Sequence, residues 1–280
     1  MKDLINMTDY SIQFANEYDD KLLEELVILM NDSFPDCPFG KDYYRWQYVD
    51  NPNGKVVSYN AYFDGMLVAH YAAIPIEMSF EGKIQKGLLS LNTATHSEHR
   101  GKGLFVKLAQ MTYDHAKEMG YKYVIGVANA NSTHGFLMKL GFYQICPLEV
   151  RFGIGNIFNY KVEKPIHVER SDTTIQWRLS NPYYKYSIKE KMIFGTIDKP
   201  FFKTVVSENK GLKNTGSIGF RPFNLYVGLG LEKKGGLYFK MPNFIKHSPF
   251  NLIFKDMSDG ELPQVTQYNI FFQLIDYDVA

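Results

Sequence analysis

Residues 96–105 read HSEHRGKGLF, with Gly101 and Gly103 on either side of Lys102 and directly after Arg100. Two glycines so placed allow backbone angles closed to other residues. An apolar repeat starts at once, with Leu104, Leu108, Met111 and Ala116 on one face and Gly120 as the stop, which predicts a helix over 104–119. Upstream, KIQKGLLSLNTAT over 83–95 reads as a strand. The loop therefore joins a strand to a helix, and its amides converge with the unpaired N–H groups of the first helical turn. The helix dipole, Arg100 and Lys102 add positive charge, so the expected ligand is a diphosphate. A P-loop would need GxxxxGK[ST], which the chain lacks, and a dinucleotide fingerprint would need glycine where Val106 stands.

Outward from that loop the pattern alternates. A strand is expected at 10–14, a helix where Leu22, Leu23, Leu26, Val27 and Met30 repeat, and a second helix in KDYYRWQYVD, closed by Asn51-Pro52-Asn53-Gly54. Strands at 58–63, 66–80 and 83–95, separated by Asp64-Gly65 and Glu81-Gly82, form an antiparallel meander. YKYVIGVAN is an apolar strand suited to a buried parallel position, NSTHGFLMKLG a short helix closed by Gly141, and FYQICPLEVRF a further strand. Residues 1–152 are thus expected to be one α/β unit with a mixed sheet.

Composition bounds the function. The chain has 280 residues, 45% hydrophobic and 22% charged, as a globular protein with one large core or two medium ones requires. With 31 basic and 30 acidic residues it has no overall field for collecting phosphates, and no nucleic-acid partner is expected. The first residues carry acids where a signal peptide would be apolar, and no run approaches a spanning helix, so a cytoplasmic protein without membrane contact is expected. Cys37 and Cys146 have no CxxC spacing, and Cys146 reads as a small buried residue, so no metal is expected.

The stretch ATHSEHRGKGLFVKLA resembles the coenzyme-A loop of the GNAT superfamily of N-acetyltransferases, whose pattern is [QR]xxGx[GA]. Arg100, Gly101 and Gly103 are in place, and Glu98 stands at the first position. ANANSTHGFLMKLGFYQI resembles the family's closing element, and the order of elements over residues 8–150, about half the chain, agrees with its fold.

The resemblance implies acetyl-CoA as donor and direct attack of an amine on its thioester, without a covalent enzyme intermediate. It implies that the pyrophosphate lies on amides of Arg100, Gly101, Lys102, Gly103, Leu104 and Phe105, and that the pantetheine arm runs along residues 91–96 as an added strand. A backbone N–H among Thr93, Ala94 and Thr95 would hold the thioester oxygen. The arm-contacting asparagine maps to Asn131, or to Asn129 if the alignment slips.

Many members place a tyrosine four residues before the Gly-Phe pair to protonate the leaving thiolate, but Leu137 occupies that position here. Tyr143 or a water could substitute. Candidate bases are His96, His134, Glu77 and the acid of the terminal YDVA.

In the second half, Trp177 is followed by Asn181-Pro182 as Trp46 is by Asn51-Pro52, which suggests an internal duplication. No such strand–glycine loop–helix arrangement recurs there, and GLGLEKKGG reads as a strand and its tight turn. Residues 153–280 are expected to form a degenerate, β-rich GNAT-like lobe that walls the acceptor cleft. The acceptor is expected to be a small-molecule amine, an amino sugar or nucleotide-linked amino sugar being favoured over an aminoglycoside or amino acid. The rival is a non-catalytic acyl-CoA sensor, for which Leu137 speaks. Monomer and homodimer both remain open.

Overall fold

The computed structural model describes residues 7–36, 39–158, 164–230, 235–242 and 249–277. Cys37, the acid of YDVA and the central LEKK of GLGLEKKGG lie outside the described residues.

After β1 (Ser11–Ala15), Asp19 caps α1 (Asp20–Ser33) by accepting the Leu22 N–H at 2.8 Å, and Leu23, Leu26, Leu29 and Met30 bury one face of it. α2 (Lys41–Tyr48) ends before Asn51-Pro52. The meander follows as β2 (Val57–Phe63), β3 (Met66–Phe80) and β4 (Lys83–Thr95). Its tight turns are Asp64-Gly65 and Glu81-Gly82, each with both residues at positive φ, the turn whose twist matches an antiparallel hairpin. α3 (Leu104–Glu118), β5 (Tyr123–Ala128) and α4 (Ala130–Lys139) complete the expected alternation. α1 and α2 pack on one face of the sheet and α3 on the other.

The expected strand FYQICPLEVRF is in fact two. It breaks at the buried Leu148, whose N–H donates to Phe250 O at 2.8 Å. β6 (Tyr143–Pro147) stays with the first sheet, while β7 (Glu149–Ile154) leaves it to pair with β12 (Phe223–Leu229) and β13 (Leu237–Lys240). β12 and β13 flank β7, so GLGLEKKGG does not close a hairpin between them. The gap beside β6 is filled from far along the chain: β14 (Asn251–Asp256) lies antiparallel between β5 and β6. The first sheet thus crosses the expected division at 152/153. β8 (Ile166–Val168) continues the sheet along the far end of β3 and pairs in parallel with β15 (Ile270–Gln273), giving one continuous mixed sheet.

The second half repeats features of the first. α5 (Asp172–Leu179) has eight residues, as α2 does, with Trp177 at the position of Trp46. The indoles stack at 5.1 Å and bond reciprocally, Trp46 Nε1 to Trp177 O at 2.7 Å and Trp177 Nε1 to Trp46 O at 2.8 Å. Asn51 and Asn181 then make the same turn, each side chain accepting the N–H two residues on. β9 (Tyr186–Lys189), β10 (Met192–Thr196) and β11 (Phe202–Glu208) are antiparallel neighbours, and β11 runs parallel to β12.

One irregularity decides the shape of β4. Across from β3, Leu91 faces Ala72 and Ala94 faces His70, so Asn92 and Thr93 together face Tyr71 alone. This is a bulge, and Asn92 sits in it at φ 47°, a region that asparagine tolerates better than most residues. A buried chain of polar groups holds it. Asn60 Oδ1 accepts from His70 Nδ1 at 2.7 Å, which fixes the tautomer and leaves Nε2 to accept the Tyr48 hydroxyl at 3.0 Å. The Tyr48 oxygen in turn accepts Asn92 Nδ2 at 2.8 Å, and Nδ2 also donates to Gln47 Oε1. Asn60, His70, Tyr48 and Gln47 are all buried, so each bond replaces water that none of them can reach.

Burial drives the His70 pKa from 6.5 down to about 3. The unfolded chain therefore takes up this proton first, and His70 lowers stability as pH falls from 6.5 toward 3, with no effect above. Its limiting slope is about 1.4 kcal/mol per pH unit. Denaturant unfolding between pH 7.5 and 5 is expected to show a shallower acid-side loss in His70→Gln than in the native chain; equal slopes would contradict the neutral, buried imidazole.

Candidate active site

β4 and β5 pair in parallel only where Leu88, Leu89 and Ser90 meet Val124, Ile125 and Gly126. Gly126 marks the last close approach, since a Cβ there would lie 3.2 Å from the Ser90 side chain. Beyond it the strands part. Ala128 and Val127 pair with Asn251 and Leu252 of β14, while Leu91, Ala94 and Thr95 pair only toward β3 among the described residues. Residues 91–95 and 127–129 thus line the arms of a split whose backbone groups on the β4 side face no strand. In that segment Leu91, Asn92, Thr93 and Thr95 are partly open while Ala94 is buried.

The split leads into the loop. Gly101 and Gly103 lie at φ 75° and 78°, as their positions required. Gly103 caps α3 without a side chain, and the first intrahelical bond is Lys107 N–H to Gly103 O at 3.0 Å. The N–H groups of Leu104, Phe105 and Val106 precede that bond and have no acceptor within the helix. A Cβ at Gly101 would meet no atom within 4 Å, and one at Gly103 only Met7 Cε at 3.6 Å, so the loop faces open space. Leu104 is buried beneath it, and the Phe105 ring packs on Phe136 at 5.2 Å, close enough to α4 that a Cβ at Gly135 would collide with it.

Three contacts brace this loop from outside the motif. Asp32, late in α1, accepts Ser97 N at 2.8 Å and Ser97 Oγ at 3.1 Å. Partial burial pushes its carboxyl up, but the Ser97 bonds and the charges of His96 and Arg100 more than offset this and leave it below the ordinary range. His99 Nδ1 bonds the Tyr10 hydroxyl at 2.9 Å, and burial, then Lys102 and His96, lower its pKa. Arg100 Nε donates to Thr95 O at 3.1 Å, tying the loop to the end of β4. Lys102 is partly open.

The remaining expected residues separate. His96 caps the turn after β4, its Nδ1 accepting Glu98 N–H at 3.3 Å and its Nε2 lying 3.7 Å from Asp32, so both ring nitrogens are engaged within the loop. Asn129 spends its side-chain oxygen capping α4, accepting Asn131 N and Ser132 N at 3.0 Å, whereas Asn131 is exposed at the helix start. His134 is exposed on α4, and Leu137 packs into the core under α3. Tyr143 pairs with Phe254, away from the split, and its hydroxyl accepts Val265 N–H at 3.1 Å; burial raises its pKa. Glu77 faces Lys86 at the far end of the β3–β4 hairpin. Burial pushes the Cys146 thiol to about 11, which suits a packed side chain and not a nucleophile.

Sequence reasoning missed Asn92 and the chain from Asn60 to Tyr48 behind it, Asp32, and Tyr183. Tyr183 follows Asn181-Pro182 in the second half and accepts Gly40 N–H at 2.6 Å, with Phe39 edge-on at 4.9 Å, so it fixes the segment between α1 and α2. A cleft of about 260 Å³ between α3 and β14 is lined by Lys255 and Asp256, at the end of β14 opposite the split.

The second half has a corresponding parallel pair. β11 meets β12 from Phe202↔Phe223 to Val205↔Tyr226; beyond, Gly228 faces Glu149 of β7 on one side and Gln273 of β15 on the other. β15 therefore occupies the side that β11 vacates, and this split is closed by the chain itself. No helix among the described residues is long and apolar enough to cross a membrane, and no three His, Cys, Asp or Glu of those residues group as a metal site.

The family model of the acetyltransferase (GNAT) domain matches residues 15–145. No curated protein matches the sequence. Among solved structures, the chain is similar to a probable N-acyltransferase from Enterococcus faecalis, at TM-score 0.60 and 10% identity over 89% of this chain and 73% of that one. It is similar to a GCN5-related N-acetyltransferase from Kribbella flavida at TM-score 0.58 and 10% identity over 89% and 73%. A GCN5-related glucosamine N-acetyltransferase region of a fungal multi-domain β-N-acetylglucosaminidase matches at TM-score 0.50 and 11% identity over 88% of this chain and 38% of that one. The segment 15–145, which the GNAT acetyltransferase domain model matches, is the part of the chain that carries the split and its loop.

Proposed function

We propose that the chain is an acetyl-CoA-dependent N-acetyltransferase acting on a small-molecule amine, with an amino sugar or nucleotide-linked amino sugar as the favoured acceptor. The observation that carries this reading is the split between β4 and β5, open along residues 91–95 and running straight into a glycine-shaped loop at the start of α3. A strand edge of that length accepts an extended amide-bearing chain, and the loop's amides accept a pyrophosphate. The glucosamine-acetylating neighbour supports the choice of acceptor class.

Bound there, acetyl-CoA supplies the acetyl group as a thioester. A backbone N–H of residues 93–95 receives the charge that develops on the carbonyl oxygen. The amine nitrogen forms the new C–N bond as the C–S bond breaks, the sulfur leaves as thiolate, and the amine loses one proton, so the products are an N-acetylated amine and CoA thiol. With Leu137 in the acid position, the thiol's own pKa near ~8.5 makes it a tolerable leaving group without a side-chain donor. Neither engaged nitrogen of His96 nor exposed His134 is favoured as a direct base, and water can carry the proton from the open split. The sensor reading rests on Leu137 alone; thiol release with acetyl-CoA and an amine panel that includes glucosamine separates the two, since a sensor would bind CoA and release none.

The second lobe is read as a degenerate repeat that walls the acceptor cleft, through Tyr183 on the segment 39–43. Calorimetric titration with CoA is expected to give one site per chain, because the second split is filled by β15; two sites would overturn that reading.

Gly103→Val places a branched side chain at φ 78° on the open side of the loop and is expected to abolish CoA binding. Lys102→Ala is expected to weaken it by an amount that shrinks in high salt. Normal CoA binding by Gly103→Val would show that the loop is not the phosphate site.

A further inference from the structure

The reading above leaves the amine without a partner on the protein, and Asn92 has the chemistry to supply one. Its carboxamide is oriented by the groups behind it. Both hydrogens of Nδ2 are used, one by the Tyr48 oxygen at 2.8 Å and one by Gln47 Oε1, and the Tyr48 oxygen cannot turn away, because Tyr48 is itself committed to His70 and His70 to Asn60. The polarity of the chain is fixed from its inner end. Asn60 presents oxygen, so His70 must donate from Nδ1 and accept at Nε2, Tyr48 must donate to it, and only the Tyr48 lone pairs remain for Asn92. A flip of the Asn92 amide would set its oxygen against two acceptors. The outward end is therefore Oδ1, which accepts no hydrogen bond from the described residues, and Asn92 is partly open while Asn60, His70, Tyr48 and Gln47 are buried.

Position adds to polarity. Asn92 is in the bulge, adjacent to Thr93, on the segment of β4 that no strand covers on the split side. Its side chain bonds to α2, so it stands on the face of the sheet opposite α3. The phosphate loop lies at the start of α3, and the two ends of a transfer, donor and acceptor, thus meet β4 from different faces.

We propose that Asn92 is the acceptor-binding residue, its carboxamide oxygen taking a hydrogen bond from the attacking amine, with Asn60, His70, Tyr48 and Gln47 as the positioning residues that turn that oxygen outward. This rests on the acetyltransferase reading. A carboxamide oxygen accepts from an amine or an ammonium without becoming charged, and it selects for a nitrogen that carries hydrogens over an ether or carbonyl oxygen, which could only repel it.

The competing role for Asn92 is purely structural, as the residue that holds the bulge at positive φ, and two variants separate the roles. Asn92→Gly keeps the backbone conformation and loses the oxygen; Asn92→Ala loses both. Transfer from acetyl-CoA to a panel of amines including glucosamine is followed by thiol release, and acetyl-CoA affinity is measured by calorimetry. The expected result is an amine KM raised about tenfold in both variants, the loss of one hydrogen bond to the acceptor, with acetyl-CoA affinity within about twofold of the native chain. A native amine KM in Asn92→Gly, a fall confined to kcat, or a loss of acetyl-CoA affinity in Asn92→Gly would overturn the assignment while leaving the acetyltransferase reading intact. A native chain that binds acetyl-CoA and transfers to no amine of the panel would overturn both.

Discussion

Parallel strands pair only while their paths stay together, and in this chain β4 and β5 separate after Ser90 and Gly126. Two local causes act on β4 and one on β5. The bulge at Asn92 and Thr93 adds a residue opposite Tyr71 and increases the strand's twist. Past Ser90 the strand also follows β3, which holds Leu91, Ala94 and Thr95. β5 meanwhile is held by β14, which pairs with it from Tyr123 to Ala128. The unpaired edge that results lies between two anchored strands. It stays open because no part of the described chain reaches it, whereas in the second half β15 takes the equivalent side of β12. The loop and the start of α3 follow from the end of β4, and the polar chain from β2, β3 and α2 holds the bulge that opens the edge.

The polar chain behind Asn92 is buried where an apolar cluster would cost less. His70 and Tyr48 lie in the core with Tyr18, whose hydroxyl bonds Ser58 at 2.6 Å and whose ring meets Tyr48 at 4.9 Å. A fully satisfied buried network is rigid because each member has one arrangement that leaves no group unpaired. Such rigidity suits a strand that must hold a bulged residue at positive φ.

What the sequence disclosed is what local physics controls. Both turns of the meander, the span of β4, the start of α3 and the positive φ of Gly101 and Gly103 are set by residues within a few positions of one another, and all stand as read. The Trp-Asn-Pro repeat was visible as well, though not the reciprocal indole bonds that join its copies. What stayed hidden depends on distance along the chain. β14 reads as a strand, but nothing local says that it enters between β5 and β6, more than a hundred residues earlier. FYQICPLEVRF does carry a break signal, Pro147 at the end of β6, but the path taken beyond it is set far away, by Leu148 bonding to Phe250. Asn92 looks like one polar residue in an apolar strand until Tyr48, His70 and Asn60 are brought against it.

On the proposed function, the donor binds in the first split and nowhere else. A crystal structure of the full chain with CoA tests it directly. Pyrophosphate density is expected on the amides of residues 100–105, with the pantetheine arm between residues 91–95 and 127–129. Density for CoA in the cleft between α3 and β14, or against β11 and β12, would contradict it.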